Sequence, residues 1–432
     1  MEDVLKKAKH IYCVGIGGIG VSALARKFLL ERKKITGSDT NATSLTKELQ
    51  GLGARIYNKH VARNITRDID IVIYTKAIKD DNPELLQAKK LNIPVATYSQ
   101  ALGIISENKY TIAIAGSHGK TTTTGLIGWG LIQAKKDPTI IIGSLLKNIP
   151  TNFVAGRGNY FVVEACEYGK SFLDLTPRIA VVTNIDNDHL DYYKTKTNLI
   201  KAFIAFVRKI PRDGYLITNL KDPACMRVAR AAQCRIVDYS KIIPPINTKL
   251  IGEHNAMNMR AAHAVLRAIH IPQGTIYKSI SSFLGTARRM EYKGTTLGGV
   301  IIYDDYAHHP TEIRATLHAF HEQFPHKKII CVFQPHLYSR TRLLFKDFIK
   351  SLLVPDILLV LPIYAAREKK DSRISSQKLV RALISKRKNK VTRYAPTFDA
   401  VVKLVKQYDN KNTILITIGA GEAFKIGDTL LK

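Results

Sequence analysis

The sequence has few acidic residues, few cysteines and no long uninterrupted apolar run. Its five cysteines are scattered, odd in number and never spaced as CxxC, which argues against a disulfide framework and against a zinc site. The segment most like a targeting signal, residues 11–25, follows two acidic residues and is interrupted by glycines, so neither a signal peptide nor a membrane span is predicted. We therefore expect a chain in the reducing cytoplasm with no membrane insertion.

The shortage of acidic residues leaves 66 lysines and arginines against 35 aspartates and glutamates, a formal net charge of +31. Such an imbalance points to an acidic partner, which is a nucleic acid, a membrane surface or a phosphate-bearing substrate. The basic residues are spread along the whole chain, and heptads, zinc-finger spacing and RNA-binding aromatic signatures are absent. We therefore predict a lysine-rich surface and no nucleic-acid partner, with a nucleic-acid-dependent ATPase kept as a less favoured alternative.

Short apolar runs alternate with amphipathic helical stretches from one end of the chain to the other. This pattern is typical of α/β proteins with mostly parallel sheets covered by helices. The 432 residues suit several domains at roughly 100–200 residues each. We predict three: a Rossmann-like domain at 1–108, a central ATPase-like domain with a phosphate loop at 109–287, and a Rossmann-like C-terminal domain at 288–432.

Two glycine-containing loops each follow a predicted strand and open a predicted helix. The first carries Gly15, Gly17, Gly18 and Gly20, with the acidic Asp39 about 20 residues further on, as in dinucleotide-binding folds. Its backbone amides suit a diphosphate, and by itself it does not specify the nucleotide. An NAD-dependent dehydrogenase would explain only this first block.

The second loop reads Gly116-Ser117-His118-Gly119-Lys120-Thr121-Thr122. Backbone amides of such a loop surround phosphate oxygens, the lysine neutralises the β and γ groups, and a threonine hydroxyl binds magnesium. The strict phosphate-loop pattern is not met, because Ile114 stands where its first glycine belongs. The loop nevertheless predicts a nucleoside triphosphate site.

Polar residues at later strand ends are expected to join this site, since ligands of open α/β sheets lie beyond the carboxyl ends of strands. Glu164 and His189 are candidate magnesium ligands in the second block. The third block opens with Arg288-Arg289 and carries Tyr306, His308, His336 and Arg340 near strand ends, residue types that suit recognition of carboxylate or phosphate.

The chain resembles the Mur ligase family in eight strings, which occur in the family's order and cover essentially the whole length: GIGGIG, GSHGKTTTT, NIDNDHLDYY, GEHNAMN, GTARRMEYKG, DDYAHHPTEIRATL, QPHLYSRT and IYAAREK. The resemblance implies an ATP-dependent amide-forming ligase of peptidoglycan precursor synthesis, and thus of cell-wall biogenesis, cell shape and cell division. It implies, more specifically, that L-alanine is added to the lactyl carboxylate of UDP-N-acetylmuramate through an acyl phosphate, giving ADP and phosphate.

The resemblance also implies a role for each candidate residue. The UDP part of the sugar nucleotide would be held by Gly15, Gly17, Gly18, Gly20, Asp39 and His60. ATP would be bound by Gly116, Ser117, His118, Gly119, Lys120, Thr121, Thr122, His254 and Asn255, and Mg²⁺ by Thr121, Glu164 and His189. The catalytic residues would be Lys120, Glu164, His189, Arg288 and Arg289, and the amino-acid site Tyr306, His308, His336 and Arg340. The domains are expected to close around the reaction, in a monomer or weak homodimer.

The sequence departs from the family's pattern at two places. Position 337 is leucine where the alanine-adding ligases carry arginine, which removes one basic contact near the predicted amino-acid site and leaves the identity of the amino acid open. Residues 164–168 read EACEY in place of EADES, and the tyrosine resembles the related ligase that attaches a recycled tripeptide to the same sugar nucleotide. Addition of a tripeptide is therefore the main alternative, and the residues 304–306 and 334–341 favour addition of alanine.

Overall fold

The computed structural model describes residues 1–243, 248–366 and 368–432. Within these ranges the strands form three sheets, and contacts divide the chain into two compact units. Unit 1 comprises Met1–Asn247 and Met257–Leu284, and unit 2 comprises Thr248–Ala256 and Gly285–Lys432. The sheets fall inside the ranges 1–108, 109–287 and 288–432, whose boundaries stay predictions.

The first sheet of unit 1 is entirely parallel, as the predicted class requires. Its strand order is β3-β2-β1-β4-β5. The strands are β1 (His10–Val14), β2 (Lys34–Ser38), β3 (Arg55–Tyr57), β4 (Ile71–Tyr74) and β5 (Val95–Thr97), and the helices are α1 (Glu2–Lys7), α2 (Ile19–Leu30), α3 (Ser44–Gly51), α4 (Pro83–Lys90) and α5 (Tyr98–Ser106).

The second sheet has the order β12-β11-β10-β6-β9-β7-β8, and its β7–β8 pair is antiparallel. The strands are β6 (Tyr110–Ala115), β7 (Thr139–Ile141), β8 (Phe153–Val154), β9 (Tyr160–Glu164), β10 (Ile179–Val182), β11 (Tyr215–Thr218) and β12 (Arg235–Asp238). The helices are α6 (Lys120–Gln133), α7 (Leu190–Tyr193), α8 (Lys196–Val207), α9 (Pro223–Ala229), α10 (Glu253–Ala268) and α11 (Gln273–Ser282).

The first two sheets belong to one folding unit because their apolar side chains form one continuous core. The same cluster contains Ile11 and Leu102 from the first sheet's layer and Ala113 and Phe172 from the second. The contact is close at Gly103, where a Cβ would lie 2.3 Å from a backbone oxygen of residue 174.

The third sheet, in unit 2, has the order β13-β14-β18-β15-β16-β17, with β13 antiparallel at one edge. The strands are β13 (Glu291–Thr295), β14 (Ile301–Asp305), β15 (Lys328–Phe333), β16 (Ile357–Val360), β17 (Val391–Tyr394) and β18 (Thr413–Ile418). The helices are α12 (Pro310–Gln323), α13 (Tyr338–Leu343), α14 (Phe345–Ser351), α15 (Ser376–Lys386), α16 (Phe398–Lys406) and α17 (Phe424–Leu430). Apolar clusters cover both faces of this sheet, as expected for a parallel core.

The predicted α/β class with three mainly parallel sheets is confirmed. The apolar residues on one side of the stretch 312–324 predict a helix, with Pro310 suited to the first turn, and the structure shows this helix as α12, which begins at Pro310 and ends at Gln323. Among the described residues, no helix combines the length and the apolar character needed to cross a bilayer.

Candidate active site

The glycine loop of unit 1 runs from the end of β1 to the start of α2. Gly15 has a positive φ of 74°, and its amide donates to the backbone oxygen of Ser38 at 2.8 Å. The Gly17 amide donates to Asp39 Oδ2 at 2.9 Å, and a Cβ on Gly17 would lie 2.9 Å from the same oxygen. Gly18 caps α2. The structure thus brings the predicted loop and Asp39 together.

Gly20, the fourth glycine of this loop, has a packing role. A Cβ at this position would lie 2.7 Å from the Tyr98 ring, so only glycine lets α2 approach the start of α5. His60 is held by two residues next to the loop: its Nδ1 lies 2.8 Å from Ser38 Oγ and 3.0 Å from Glu84 Oε2. Glu84 was not among the predicted site residues. The local pattern Asn82-Pro83-Glu84 indicates only the start of a helix.

The phosphate loop joins β6 to α6 and needs glycine at two positions. Gly116 and Gly119 have positive φ values of 129° and 84°. A Cβ on Gly116 would lie 2.1 Å from Thr183 Oγ1, and one on Gly119 would lie 2.3 Å from Asn258 Oδ1. α6 begins at Lys120, so its unpaired amides face the loop, the geometry that attracts phosphate.

Backbone amides of Ser117 and His118 fix the same loop to the strand end of β10. The first donates to the backbone oxygen of Asn184, and the second donates to Asn184 Oδ1, both at 2.9 Å. The imidazole Nε2 of His118 lies 3.1 Å from Asp186 Oδ2. Asn184 therefore shapes the loop, a role that its place in the NIDNDH run did not reveal.

Lys120 lies at the centre of this site, and 13% of its side chain is exposed. Its ammonium donates to the Ser117 backbone oxygen at 3.2 Å and lies 3.0 Å from Glu167 Oε2. Burial opposes the charged form, but the neighbouring Glu167 carboxylate raises the pKa of Lys120 above its ordinary value. Burial also opposes the charge on Glu167, and Lys120 followed by His189 holds the pKa of Glu167 below its ordinary value. Both groups are therefore charged at neutral pH.

Glu164 closes the other side of the phosphate loop. Its carboxylate lies at the end of β9 and accepts from Thr121 Oγ1 at 3.0 Å and from the Gly143 amide at 2.9 Å. A hydroxyl and a carboxylate this close together are the donor set that Mg²⁺ prefers. Thr121 and Glu164 thus lie together, as the sequence predicts.

His189 lies in a second group of candidate ligands, beside Glu167. Atoms of Glu167, Asp188 and His189 that could bind a cation lie within 4.8 Å of one another. His189 has a positive φ of 53°, and its ring packs against Tyr168 at 5.1 Å between centroids. His189 Nε2 lies 3.5 Å from Glu167 Oε1 and 3.7 Å from Asp188 Oδ2, whereas the sequence groups His189 with Glu164.

His254 and Asn255 lie in the first turn of α10, the part of this helix that belongs to unit 2. The Asn255 amide nitrogen donates to the Ile251 backbone oxygen at 2.9 Å. Burial lowers the pKa of His254 to about 4, although Glu312 acts in the opposite direction. His254 is therefore a neutral imidazole at physiological pH.

This burial makes a testable contribution to stability. The unfolded histidine takes up a proton near its ordinary pKa of 6.5, whereas the folded one does so near 4. Because the unfolded state binds more protons in this window, the free energy of unfolding should fall by about 2–3 kcal/mol as the pH drops from 6.5 to 4. The measurement is denaturant unfolding across this range, comparing wild type with His254→Gln, which lacks this component. His326→Gln, at an exposed histidine of unit 2, is the control; the same pH slope in His254→Gln and wild type would contradict the prediction.

Arg288 is held tightly inside unit 2. Its Nε donates to Asp304 Oδ2 at 2.9 Å, and its Nη2 donates to the Gly419 backbone oxygen at 2.6 Å. The guanidinium also lies over the Tyr306 and Phe424 rings, at 5.0 and 4.6 Å from their centroids. These contacts give Arg288 a structural role in this unit.

Arg289 makes fewer contacts than its neighbour. Its guanidinium lies 5.2 Å from the Tyr306 ring centroid, and within the described ranges its side chain makes neither a hydrogen bond nor an ion pair. It also acts on Asp305, since burial raises the pKa of that carboxyl to about 6 and Arg289 opposes the rise. The structure therefore separates two arginines that the sequence treated alike.

The four residues predicted for the amino-acid site lie together in unit 2. Tyr306 and His308 have ring centroids 5.5 Å apart, and those of His308 and His336 are 5.8 Å apart. Arg340 Nη1 lies 3.0 Å from His336 Nδ1. A fifth residue, Tyr364, stacks on His336 at 5.9 Å and was not predicted.

Leu337, where the sequence departs from the family, has a positive φ of 69° and is buried. Its amide donates to the Tyr364 backbone oxygen at 2.9 Å, and its backbone oxygen accepts from Thr341 Oγ1 at 2.7 Å. These hydrogen bonds hold a backbone conformation that leucine rarely adopts. The turn between β15 and α13 is thus fixed by backbone contacts, with an apolar side chain beside His336.

Comparison with known families places this site in context. Three family profiles match consecutive parts of the chain: "Mur ligase family, catalytic domain" at residues 10–110, "Mur ligase middle domain" at 114–244 and "Mur ligase, glutamate ligase domain" at 288–421. The chain belongs to the Mur ligase family.

Its relatives within the family include proteins named UDP-N-acetylmuramate–L-alanine ligase. The one from Clostridium acetobutylicum is 42% identical over 98% of each chain, and the one from Caldanaerobacter subterraneus subsp. tengcongensis is 40% identical over 100% of this chain and 99% of that protein. The crystal structure of UDP-N-acetylmuramate-alanine ligase from Thermotoga maritima matches 98% of each chain with a TM-score of 0.82 and 25% identity. A murein peptide ligase from Psychrobacter arcticus shares the fold, with a TM-score of 0.71 and 22% identity.

Proposed function

We propose that this chain uses ATP to join L-alanine to the lactyl carboxylate of UDP-N-acetylmuramate in peptidoglycan precursor synthesis. The observation that carries the proposal is its similarity, along the full length, to ligases of that name. The assembled glycine loop and phosphate loop of unit 1 add support, because the reaction needs one site for a uridine diphosphate and one for a triphosphate. A cytoplasmic location and a monomeric or weakly dimeric state stay predictions.

The chemistry explains why the reaction needs these residues. A carboxylate is unreactive towards an amine, so a carboxylate oxygen first attacks the γ-phosphorus of ATP and ADP leaves. The nitrogen of L-alanine then attacks the acyl phosphate, the tetrahedral intermediate expels phosphate, and the nitrogen loses a proton to give the amide. Lys120 and the first amides of α6 stabilise the charge of the transferred phosphoryl group. Arg289 is proposed to add a second positive charge there.

Tyr306, His308, His336 and Arg340 are proposed to bind the amino acid. The guanidinium of Arg340 suits a carboxylate, and its contact with His336 Nδ1 orders both side chains. Neutral His254 and the Asn255 side chain are proposed to contact ATP. Direct measurements of amino-acid and nucleotide binding on variants of these residues test the assignments.

The donor set of Thr121 and Glu164 fits a magnesium ion, and the group of Glu167, Asp188 and His189 offers a second set of ligands. A bound ion would neutralise phosphate charge and orient the γ-phosphate. Thr121 and Glu164 are proposed as magnesium ligands beside the phosphate loop. His189 is proposed as a magnesium ligand in the second group, next to Glu167. The hydrogen bond from Thr121 to Glu164 holds the two oxygens at this position.

Replacing Glu164 by glutamine tests the magnesium assignment. Loss of one negative ligand should raise the Mg²⁺ concentration for half-maximal turnover by about tenfold or more, whereas the amide oxygen still accepts from Thr121. Turnover measured against Mg²⁺ at saturating ATP gives this value, with the exposed Glu31→Gln as the control. An unchanged Mg²⁺ requirement in Glu164→Gln would show that the ion binds elsewhere.

The substrate assignment is tested by phosphate release with Mg-ATP and UDP-N-acetylmuramate in the presence of L-alanine, glycine, L-serine or the tripeptide. L-alanine should give the highest kcat/KM, and mass spectrometry should show the amide product. Release only with the tripeptide would assign the chain to the alternative ligation. Equal rates with L-alanine and glycine would show that the apolar Leu337 environment does not select the methyl group.

A further inference from the structure

The first sheet of unit 1 contains a buried carboxylate that the proposed reaction does not use. Glu84 lies in the first turn of α4 and is 0% exposed. Its Oε1 accepts from Tyr12 OH at 2.7 Å and from Asn64 Nδ2 at 2.6 Å, and its Oε2 accepts from Ser38 Oγ at 2.6 Å. His60 Nδ1 lies 3.0 Å from Oε2. Three converging donors satisfy a charge that would otherwise be costly to bury.

This network lies directly beside the loop proposed to bind UDP. The backbone oxygen of Ser38 accepts from the amides of Gly15 and Ile16 at 2.8 and 3.1 Å. The next residue, Asp39, accepts from the Gly17 amide. The Ser38 side chain therefore links Glu84 to the same backbone that shapes the nucleotide loop.

The hydrogen-bond pattern determines which nitrogen of His60 carries the proton. Ser38 has one hydroxyl proton, which it donates to Glu84, so towards His60 its oxygen offers only a lone pair. The second atom facing Nδ1 is a carboxylate oxygen, which is also an acceptor. Nδ1 must therefore be the protonated nitrogen, and Nε2 of the neutral ring is an acceptor. No described residue contacts Nε2 by a hydrogen bond, and the side chain is 18% exposed.

We propose that Glu84 is a positioning residue that fixes His60 with its proton on Nδ1, so that Nε2 accepts a hydrogen bond from the uridine nucleoside. The donor is a ribose hydroxyl or the uracil N–H. A phosphate oxygen is an acceptor and does not complement a neutral Nε2, so the diphosphate is left to the amides of the glycine loop. This assignment rests on the proposed UDP site. It goes further by stating which part of the nucleotide His60 recognises, namely the nucleoside.

The proton position is measured on the wild-type full chain by ¹⁵N NMR of the histidine side chains at pH 8, with His60→Gln used to assign the signal. The Nδ1-protonated form is expected. In Glu84→Gln the donors Tyr12 and Asn64 hold the amide oxygen on their side, so the amide N–H₂ faces His60 and should shift the proton to Nε2. Tyr12→Phe removes a donor from Glu84 Oε1, the oxygen that does not face His60, and should leave the His60 signal unchanged. A wild-type His60 protonated on Nε2 overturns the proposal without recourse to any variant.

The consequence for recognition is measured by calorimetric titration with UDP, 2′-deoxy-UDP, 3′-deoxy-UDP and 3-methyl-UDP. Glu84→Gln and His60→Ala should weaken UDP binding about tenfold, the value of one hydrogen bond to a buried partner, while Tyr12→Phe stays within about twofold. The analogue that lacks the relevant donor should bind wild type and His60→Ala equally. If His60→Ala and Glu84→Gln both still bind UDP in preference to each of the three analogues, the result would contradict the proposal.

Kinetics separate this role from a general loss of structure. In Glu84→Gln the KM for the sugar nucleotide should rise while kcat and the KM for ATP stay near wild type, whereas partial unfolding would lower kcat as well. The NMR and UDP titrations do not require turnover. A chain that binds UDP as described but forms no product with L-alanine would refute the proposed reaction and leave the Glu84–His60 assignment standing.

Discussion

Lys120→Ala is expected to lower kcat about 1000-fold while binding of UDP-N-acetylmuramate is retained. The reason is electrostatic: the ammonium lies at the start of α6, where the proposed reaction places the transferred phosphoryl group, and loss of one preorganised charge in such a site costs about two to three orders of magnitude. The measurement is kcat and KM for ATP, with titration of the sugar nucleotide as the test of a folded unit 1. Lys136→Ala, at an exposed lysine after α6, is the matched control.

The same substitution should also lower stability, because Lys120 pairs with a Glu167 side chain that is only 1% exposed. Removing one member of a buried ion pair costs about 3–5 kcal/mol. The double variant Lys120→Met/Glu167→Gln removes both charges, so its free energy of unfolding should return towards wild type while kcat stays low. If the double variant recovers turnover together with stability, the loss in Lys120→Ala reflects unfolding and the catalytic assignment is wrong.

The local order of the sequence predicted the features of unit 1 that depend on neighbouring residues. Both glycine loops were predicted because a strand, a run containing glycines and a helix start follow one another within about ten positions. In the structure Gly15, Gly116 and Gly119 adopt the positive φ that glycine allows. Asp39 was predicted because the strand that follows α2 ends at a fixed distance along the chain from the glycine loop. These features depend on backbone geometry, which short motifs encode directly.

Contacts between distant segments could not be predicted in the same way. Glu84 joins Tyr12, Ser38, His60 and Asn64, which lie between 20 and 72 positions away, so no spacing rule connects them. The sequence groups His189 with Glu164 because both follow strands of one sheet, yet the carboxylates nearest to His189 Nε2 are those of Glu167 and Asp188. Which carboxylate a side chain meets is set by loop geometry that residue types alone do not reveal.

Arg289→Ala is expected to lower kcat about 1000-fold and leave the stability of unit 2 intact, whereas Arg288→Ala should do the reverse. Arg289 makes no hydrogen bond or ion pair through its side chain in the described ranges, so its charge is available to a phosphate, where an arginine contributes about three orders of magnitude or more. Arg288 is committed to Asp304 and Gly419, and its removal leaves a buried carboxylate without its cation.

Each of the two arginine variants therefore serves as the control for the other. The measurements are kcat at saturating substrates and the free energy of unfolding by denaturant. Burial already raises the pKa of Asp304, so loss of Arg288 should favour the protonated carboxyl and lower the cost to about 2–3 kcal/mol. The companion variant Arg288→Ala/Asp304→Asn removes the orphaned charge and should recover part of that stability, still without loss of kcat. Should Arg288→Ala abolish turnover in a fully folded chain while Arg289→Ala turns over normally, the phosphate contact belongs to Arg288, and its ion pair with Asp304 must open during the reaction.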